Sequence, residues 1–89
     1  MREVARSSAF KADLKKAARS GKYDIADLLA IVKALAVGNP LAAKHKDHAL
    51  TGNWKDFREC HIKPDWLLIY QLTTTEVILV RTGSHSDLY

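Results

Sequence analysis

The chain has 89 residues, of which 47% are hydrophobic and 27% are charged, and its formal net charge is +4 at pH 7. A chain this short supports one modest core, so we expect a single domain over residues 1–89, and its apolar content excludes an intrinsically disordered protein. No apolar run approaches the roughly 18 residues of a membrane span, and the single cysteine excludes an intramolecular disulfide framework. We therefore expect a small cytosolic protein.

The first half of the chain is predicted to form a short strand and two helices. Residues 2–6 are typical of an edge strand. A serine at the next position, Ser7 or Ser8, can cap a helix because its oxygen accepts hydrogen bonds from the first turn. Apolar residues then recur at i, i+4, i+7 and i+8 until Gly21, which ends this helix. A second amphipathic helix follows and ends at Gly38.

The second half changes its hydrophobic period. Residues 41–55 are predicted to form a long polar loop, and residues 57–62, 66–72 and 77–80 are predicted to be strands. Pro64 and Asp65 mark the turn between the first two of these strands, since proline presets the backbone angle of a turn. The pattern favours an antiparallel meander covered on one face by the two helices, which is an α+β fold.

Basic residues are concentrated near the N-terminus. Residues 1–22 contain seven lysines and arginines but only two acidic residues. Clustered basic charge suits a polyanion such as a nucleic acid, or an acidic protein partner. A solvated helix surface explains the same charge equally well. The candidate RNA-contacting residues on the first helix are Lys11, Lys15, Lys16 and Arg19.

Five residues with catalytic side chains are predicted to meet at one rim of the sheet. His61 ends the first strand of the meander, Asp65 precedes the second, and Arg81 and His85 follow the third, so these ends share one edge. His48 can reach the same edge from the preceding loop. Histidine, whose unperturbed pKa is roughly 6.5, can transfer protons near neutral pH, and an arginine can stabilise phosphate charge. Such a set would allow cleavage of RNA without a metal, with the ribose 2′-hydroxyl as nucleophile.

Other interpretations of the same residues remain open. Each histidine can be an ordinary surface residue, Arg81 can pair with a carboxylate such as Glu59, and Trp66 can belong to the core. Three histidines and an aspartate are also zinc-type ligands, but the chain lacks a compact signature such as HExxH. These spacings alone do not decide between catalysis, a metal site and a purely structural role.

Three motifs in the second half resemble the YafQ-like branch of the RelE toxin superfamily. They are a DHxLxGxW loop over residues 47–54, an HIxPDW turn over residues 61–66 and an RxGxHxxL stretch over residues 81–88. The resemblance extends over nearly the whole chain in element order, and it is specific for residues 46–89. It implies a fold like that of microbial ribonucleases, with an N-terminal edge strand and two helices packed on a curved antiparallel sheet.

The resemblance also implies an activity and a set of functional positions. Members of the branch cleave mRNA in the decoding site of the ribosome and are restrained by a cognate antitoxin. The terminal aromatic residue is tyrosine here, where phenylalanine is common in the branch. The matched positions comprise four catalytic residues and three substrate-binding residues: His48, His61, Asp65 and His85, and Arg81, Trp66 and Tyr89.

These observations predict the toxin of a type II toxin–antitoxin pair. We expect a ribosome-dependent endoribonuclease that needs no metal or other cofactor and uses histidine and aspartate for acid–base catalysis. The expected partners are the ribosome, mRNA and an antitoxin encoded by the adjacent gene, and no membrane is involved. The alternatives are a non-catalytic RNA- or protein-binding relative that kept the fold, and a metal-binding or regulatory module.

Overall fold

The computed structural model describes residues 1–89 as five strands and three helices, with single 3₁₀ turns at Ala43–His45 and Gly52–Trp54. The strands and helices follow one another along the chain in this order: β1 (Glu3–Arg6), α1 (Ser8–Ser20), α2 (Ile25–Val37), β2 (His48–Ala49), β3 (Arg58–Lys63), β4 (Trp66–Leu72), β5 (Glu76–Gly83) and α3 (His85–Leu88). None of the helices is long and apolar enough to cross a membrane.

The two long helices begin and end where local sequence signals predict. The Ser7 side chain accepts a hydrogen bond from the first turn of α1, and α1 ends at Gly21, which has a φ of 71°. The Asp24 side chain caps α2 in the same way, and α2 ends at Gly38, which has a φ of 81°. Glycine suits both ends because a side chain disfavours this left-handed conformation.

The sheet has the strand order β1-β5-β4-β3-β2 and is mixed. The expected meander is present, since β3, β4 and β5 are antiparallel neighbours. The expected N-terminal edge strand is also present, and its parallel pairing with β5 is what makes the sheet mixed. Parallel neighbours require a long connection, which here consists of the helices and strands from α1 to β4.

Strand β4 is covered on both faces. Residues 66–70 are all fully buried, which explains the uninterrupted apolar run that sequence analysis assigned to one strand. Helices α1 and α2 cover one face, where Phe10 and Leu28 pack with Trp66 and other core residues. A smaller cluster around Leu67 covers part of the opposite face. The second face is only partly covered, so polar side chains can reach solvent there and at its rim.

Two short elements that sequence analysis did not predict carry candidate catalytic residues. Part of the expected loop 41–55 forms β2, whose His48 lies opposite Glu59 of β3. Helix α3 begins with a capping box between Ser84 and Asp87, and its first residue is His85. Both elements fix the backbone beside a histidine, so the two histidines have defined positions on the sheet.

Candidate active site

His85 and Asp65 form a hydrogen-bonded pair at the rim of the sheet. One carboxylate oxygen of Asp65 lies 2.9 Å from His85 Nδ1 and accepts a 3.1 Å hydrogen bond from the His85 backbone N–H. These bonds hold the pKa of Asp65 below its ordinary value of 3.8, and the bond to the His85 side chain contributes more than the bond to its backbone. The ionised carboxylate keeps the Nδ1 proton in place, so Nε2 of His85 is the nitrogen that can exchange a proton.

His61 joins this pair at the same rim. Its Nδ1 lies 3.2 Å from the carbonyl oxygen of Pro64 in the β3–β4 turn, and its ring centroid lies 5.6 Å from that of His85. A carbonyl only accepts hydrogen bonds, so Nδ1 of His61 carries the proton and Nε2 is again available. The structure therefore brings together His61, Asp65 and His85, whose meeting was expected from the antiparallel connection of the strands.

His48 faces His61 across a buried carboxylate. Its Nδ1 lies 2.6 Å from the carbonyl oxygen of Lys46, which leaves Nε2 as the free nitrogen. The Nε2 atoms of His48 and His61 each lie 3.7 Å from the same oxygen of Glu59. A carboxylate in this position stabilises whichever of the two imidazoles gains a proton.

Glu59 is a candidate site residue that sequence analysis considered only as a partner of Arg81. It is only 5% exposed, and its second oxygen accepts a hydrogen bond from the Tyr89 hydroxyl. Buried carboxylates need such partners, because an isolated ionised group is costly to remove from water. Residues 59 and 61 of one strand point to the same face, so a glutamate two positions before a candidate histidine was the available signal.

Tyr89 presents an aromatic ring beside these groups. The residue is 58% exposed, and its ring packs edge-to-face against Trp54 with 6.5 Å between centroids. Partial burial and the bond to Glu59 raise the pKa of the Tyr89 hydroxyl above its ordinary value of 10, so it donates that hydrogen bond throughout the neutral range. The hydroxyl thus has a defined contact that phenylalanine lacks.

The Trp66 ring lies in the core, which is the alternative that its sequence position left open. Trp66 is fully buried on the helix-covered face, where its ring stacks on Tyr23 at a centroid distance of 4.5 Å. Alternation along β4 places Trp66, Leu68 and Tyr70 in the core that the long helices cover. A base therefore has no access to the faces of the Trp66 ring, and its first role is packing.

Arg81 lies near Asp65 but is paired with Asp13 of α1, and not with Glu59. Its Nε and Nη2 donate to the two oxygens of Asp13 at 2.6 and 3.1 Å, and the same carboxylate accepts the Thr82 backbone N–H. The Asp13 carboxylate raises the pKa of Arg81 further, so the guanidinium is always charged. Arg81 and Asp65 both line a cleft of about 710 Å³ between α1 and the turns at this rim.

The remaining histidine and the basic helix lie outside this group. His45 Nδ1 lies 2.7 Å from the main-chain oxygen of His61, which ties the polar loop to β3. Lys11, Lys15 and Arg19 are exposed on α1, whereas Lys16 lies 3.4 Å from a carboxylate oxygen of Asp87 in α3. No group of three or more histidine, cysteine or acidic side chains is arranged to hold a metal ion.

Comparison with known proteins places this chain among bacterial toxins. Residues 2–89 match the family model described as the bacterial toxin of type II toxin–antitoxin system, YafQ. The chain is 37% identical to the mRNA interferase toxin YafQ of Escherichia coli K12 over 90 aligned residues, which cover 99% of this chain and 96% of that protein.

Solved structures agree with the match. A metal-bound toxin from Helicobacter pylori is 46% identical and superposes with a TM-score of 0.91 over the whole of both chains. The YafQ chain of the E. coli DinJ-YafQ toxin–antitoxin complex is 38% identical, with a TM-score of 0.90 over 99% of this chain and 97% of that one. The likeness therefore includes the strands and turns that carry the histidines.

Proposed function

We propose, given that the chain belongs to the YafQ family of type II toxin–antitoxin toxins, that it is an endoribonuclease that cleaves mRNA by metal-independent acid–base catalysis. One observation carries the proposal. Each of the three imidazoles of His48, His61 and His85 has its Nδ1 held by a carbonyl or a carboxylate, which leaves Nε2 for proton transfer. Such fixed tautomers are what a general acid and a general base require.

The reaction needs one proton acceptor and one proton donor. The ribose 2′-oxygen attacks phosphorus, its proton passes to the histidine set, and the bond from phosphorus to the 5′-oxygen breaks. His48 and His61 share the stabilising carboxylate of Glu59, so this pair is the proposed proton acceptor. His85, oriented by Asp65, is the proposed acid that donates a proton to the leaving 5′-oxygen. The products are a 2′,3′-cyclic phosphate and a free 5′-hydroxyl.

Two further residues are proposed to hold the RNA. Tyr89 offers an exposed ring on which a base can stack, a contact that does not depend strongly on sequence. Arg81 contacts phosphate through Nη1, which makes no hydrogen bond within the protein. Because Asp13 already neutralises much of its charge, Arg81 alone is a weak grip on a flexible strand.

We therefore infer that the ribosome aligns the message. Holding the 2′-hydroxyl in line with its phosphate is worth up to about 7–11 kcal/mol, which a ribosome-bound codon can provide. The exposed cations of α1, Lys11, Lys15 and Arg19, are proposed to dock on ribosomal RNA. The family resemblance and the sparse phosphate contacts both support this dependence.

The decisive experiment compares one defined mRNA in two states. We expect strong cleavage when purified protein acts on the message during translation, and little cleavage of the naked message at physiological salt. We expect cleavage to be unchanged when EDTA removes transition metals while added magnesium keeps the ribosomes intact, because the proposed acid–base catalysis uses no metal. Comparable rates on free and translated message would contradict ribosome dependence, and loss of cleavage on removal of trace transition metals would contradict metal independence.

The proposed protein partner is an antitoxin encoded by the adjacent gene. A related YafQ chain has been solved in complex with DinJ, and the basic surface of this chain suits an acidic segment. When this chain is co-expressed with the product of the adjacent gene, we expect the two proteins to co-purify. We also expect the partner to relieve the growth inhibition that the chain causes alone. Failure of both outcomes would contradict the pairing.

A further inference from the structure

Asp47 ties the segment that carries His48 to two strands of the sheet. Its Oδ1 accepts one hydrogen bond from the hydroxyl of Tyr70 on β4 and another from Nε of Arg58 on β3, the latter at 3.3 Å. Tyr70 is fully buried, and this burial, together with the bond to Asp47, raises the pKa of its hydroxyl above the ordinary value of 10. The hydroxyl therefore stays protonated and donates this bond throughout the neutral range.

Asp47, which directly precedes β2, and His48 reach opposite faces of the sheet. Arg58 and Tyr70 are register partners on β3 and β4, and Tyr70 belongs to the large core under the helices. His48 instead lies opposite Glu59, whose side chain points to the open face. Because successive residues of an extended segment point to opposite faces, a carboxylate anchored on the core side fixes where the next side chain emerges on the open side.

The backbone of Lys46 is strained, and its carbonyl is the group that holds His48. Lys46 has a φ of 46° and a ψ of 45°, the left-handed conformation that a residue with a side chain rarely adopts. Its carbonyl oxygen lies 2.6 Å from Nδ1 of His48. A strained residue persists only where its surroundings hold it in place. The Lys46 N–H donates to the carbonyl of Ala43 at 3.1 Å on one side, and Asp47 is anchored on the other.

We propose that Asp47 is a positioning residue for His48. By holding the left-handed Lys46, it keeps the carbonyl acceptor against His48 Nδ1, so the proton stays on Nδ1 and Nε2 remains free for proton transfer. The Asp47 carboxylate makes no bond to the imidazole itself, in contrast to Asp65, which binds His85 directly. This inference rests on the proposed role of His48 in proton transfer, and it adds the residue that fixes the tautomer of that imidazole.

The first test measures the tautomer of His48 by NMR of the imidazole nitrogens, at a pH where the ring is neutral. We expect Nδ1 to carry the proton in the wild type. In Asp47→Ala we expect the two nitrogens to share the proton, so that their signals move toward each other. His85 should keep its signals, because Asp65 still holds its ring. Asp24→Ala is the matched control, since it removes an aspartate that accepts a hydrogen bond at the start of α2, and His48 should keep its tautomer there.

Two further variants keep the test informative if Asp47→Ala folds poorly. Asp47→Asn retains a side-chain oxygen that can accept hydrogen bonds from Tyr70 and Arg58, so it should keep the wild-type tautomer. Tyr70→Phe removes only the hydroxyl donor, and we expect the His48 signals to shift in the same direction as in Asp47→Ala but by less.

The second test measures single-turnover cleavage of mRNA on ribosomes. Asp47→Ala should lower the maximal rate roughly tenfold or more, because a displaced catalytic group loses much of its effect. The protein concentration that gives half of this rate should be unchanged, since the lysines of α1 are intact. Asp47→Asn and Asp24→Ala should both cleave at rates near that of the wild type.

The outcomes separate this inference from the proposed function. An unchanged His48 tautomer in Asp47→Ala and Tyr70→Phe would overturn the positioning role, whatever the activity of these variants. An equal change of the His48 signals in Asp24→Ala would overturn it as well, since a general loss of stability would then explain the signals. If Asp47→Ala changes the tautomer but cleaves translated mRNA at the wild-type rate, Asp47 still orients His48, and the proposed role of His48 in proton transfer fails.

Discussion

The two faces of the sheet have opposite characters. On the face under α1 and α2, Phe10, Leu28, Trp66 and Tyr70 belong to a cluster of 13 buried residues. That environment is dry enough to raise the pKa of the Cys60 thiol to about 12, mainly through burial. The opposite face has a core cluster of only three buried residues, and beside it lie histidines, a glutamate and a half-exposed tyrosine.

Alternation within single strands separates the side chains of the large core from the candidate catalytic side chains. On β3, Cys60 and Ile62 point into the large core, whereas Glu59 and His61 point to the open face. A shift of one residue in the pairing of β3 would exchange the two sets. The buried strand β4 holds that register from the centre of the sheet, so the positions of the candidate catalytic groups depend on the packing of the large core.

The largest effect is expected from the covered face. Phe10→Ala removes a side chain that is only 1% exposed, and we expect a loss of about 3–5 kcal/mol in the free energy of unfolding. Chemical denaturation measures this change. Leu29→Ala on α2, where the residue is 60% exposed, should stay within about 0.5 kcal/mol of the wild type. Equal stability of the two variants would contradict the assignment of the main core.

The largest effect on activity is expected from the open face. His85→Ala should leave the fold intact and reduce cleavage of mRNA on ribosomes by roughly 10²-fold or more, as for a positioned acid or base. Single-turnover cleavage and thermal unfolding measure the two properties separately. His45→Ala should cost little by comparison, because the His45 side chain binds only a main-chain oxygen. Wild-type activity in His85→Ala would remove His85 from the proposed mechanism.

We expect the basic residues of α1 to affect docking on the ribosome without changing either face of the sheet. Lys11→Gln combined with Lys15→Gln should weaken the ribosomal reaction and reduce its salt slope by about 2, one for each lost phosphate contact. Lys16 is unsuitable for this test, because it also holds Asp87 beside the cleft. The salt dependence of kcat/KM measures the effect, with Lys33→Gln as the control. An unchanged slope would contradict the docking surface.

We expect Asp65 to make the stability of the folded protein depend slightly on pH in the acidic range. Its pKa is lower in the folded protein than its ordinary value of 3.8, so the folded state binds the proton less readily than the unfolded state. The resulting stability is present above that value and is lost as pH falls through the lower folded pKa. Denaturation midpoints of Asp65→Asn should therefore lie below those of the wild type near neutral pH and converge with them in acid. A constant difference at every pH would contradict the Asp65–His85 interaction.

The smallest effect is expected from the Tyr89 hydroxyl. Tyr89→Phe keeps the ring and loses one hydrogen bond to Glu59, a contact worth about 1 kcal/mol. Tyr89→Ala also loses base stacking, which is worth about 1–3 kcal/mol, so it should be the less active variant. Cleavage on ribosomes compares the two. Equal losses in both variants would show that the hydroxyl, and not the ring, is what activity requires.

Much of the fold could be predicted because it depends on local signals. The caps at Ser7 and Asp24 and the glycines at 21 and 38 delimit the two helices through interactions within one turn. The three main strands follow from runs of apolar residues. The parallel pairing of β1 could not be predicted, because it depends on which strand edge remains free after the meander forms. The two-residue β2 was missed because its pairing with β3 supplies most of what holds it extended.

The candidate site also has features that the sequence predicts and features that depend on the tertiary structure. The sequence by itself determined which residue types are present, and the order of the strands implied that His61, Asp65 and His85 meet. Only the tertiary structure decided that Glu59 lies between two histidines and that the Trp66 ring is inaccessible, since both facts depend on which face of its strand each residue occupies. That choice is made by the packing of the helices on the sheet, because the free energy of burying apolar side chains depends on contacts far apart in the chain.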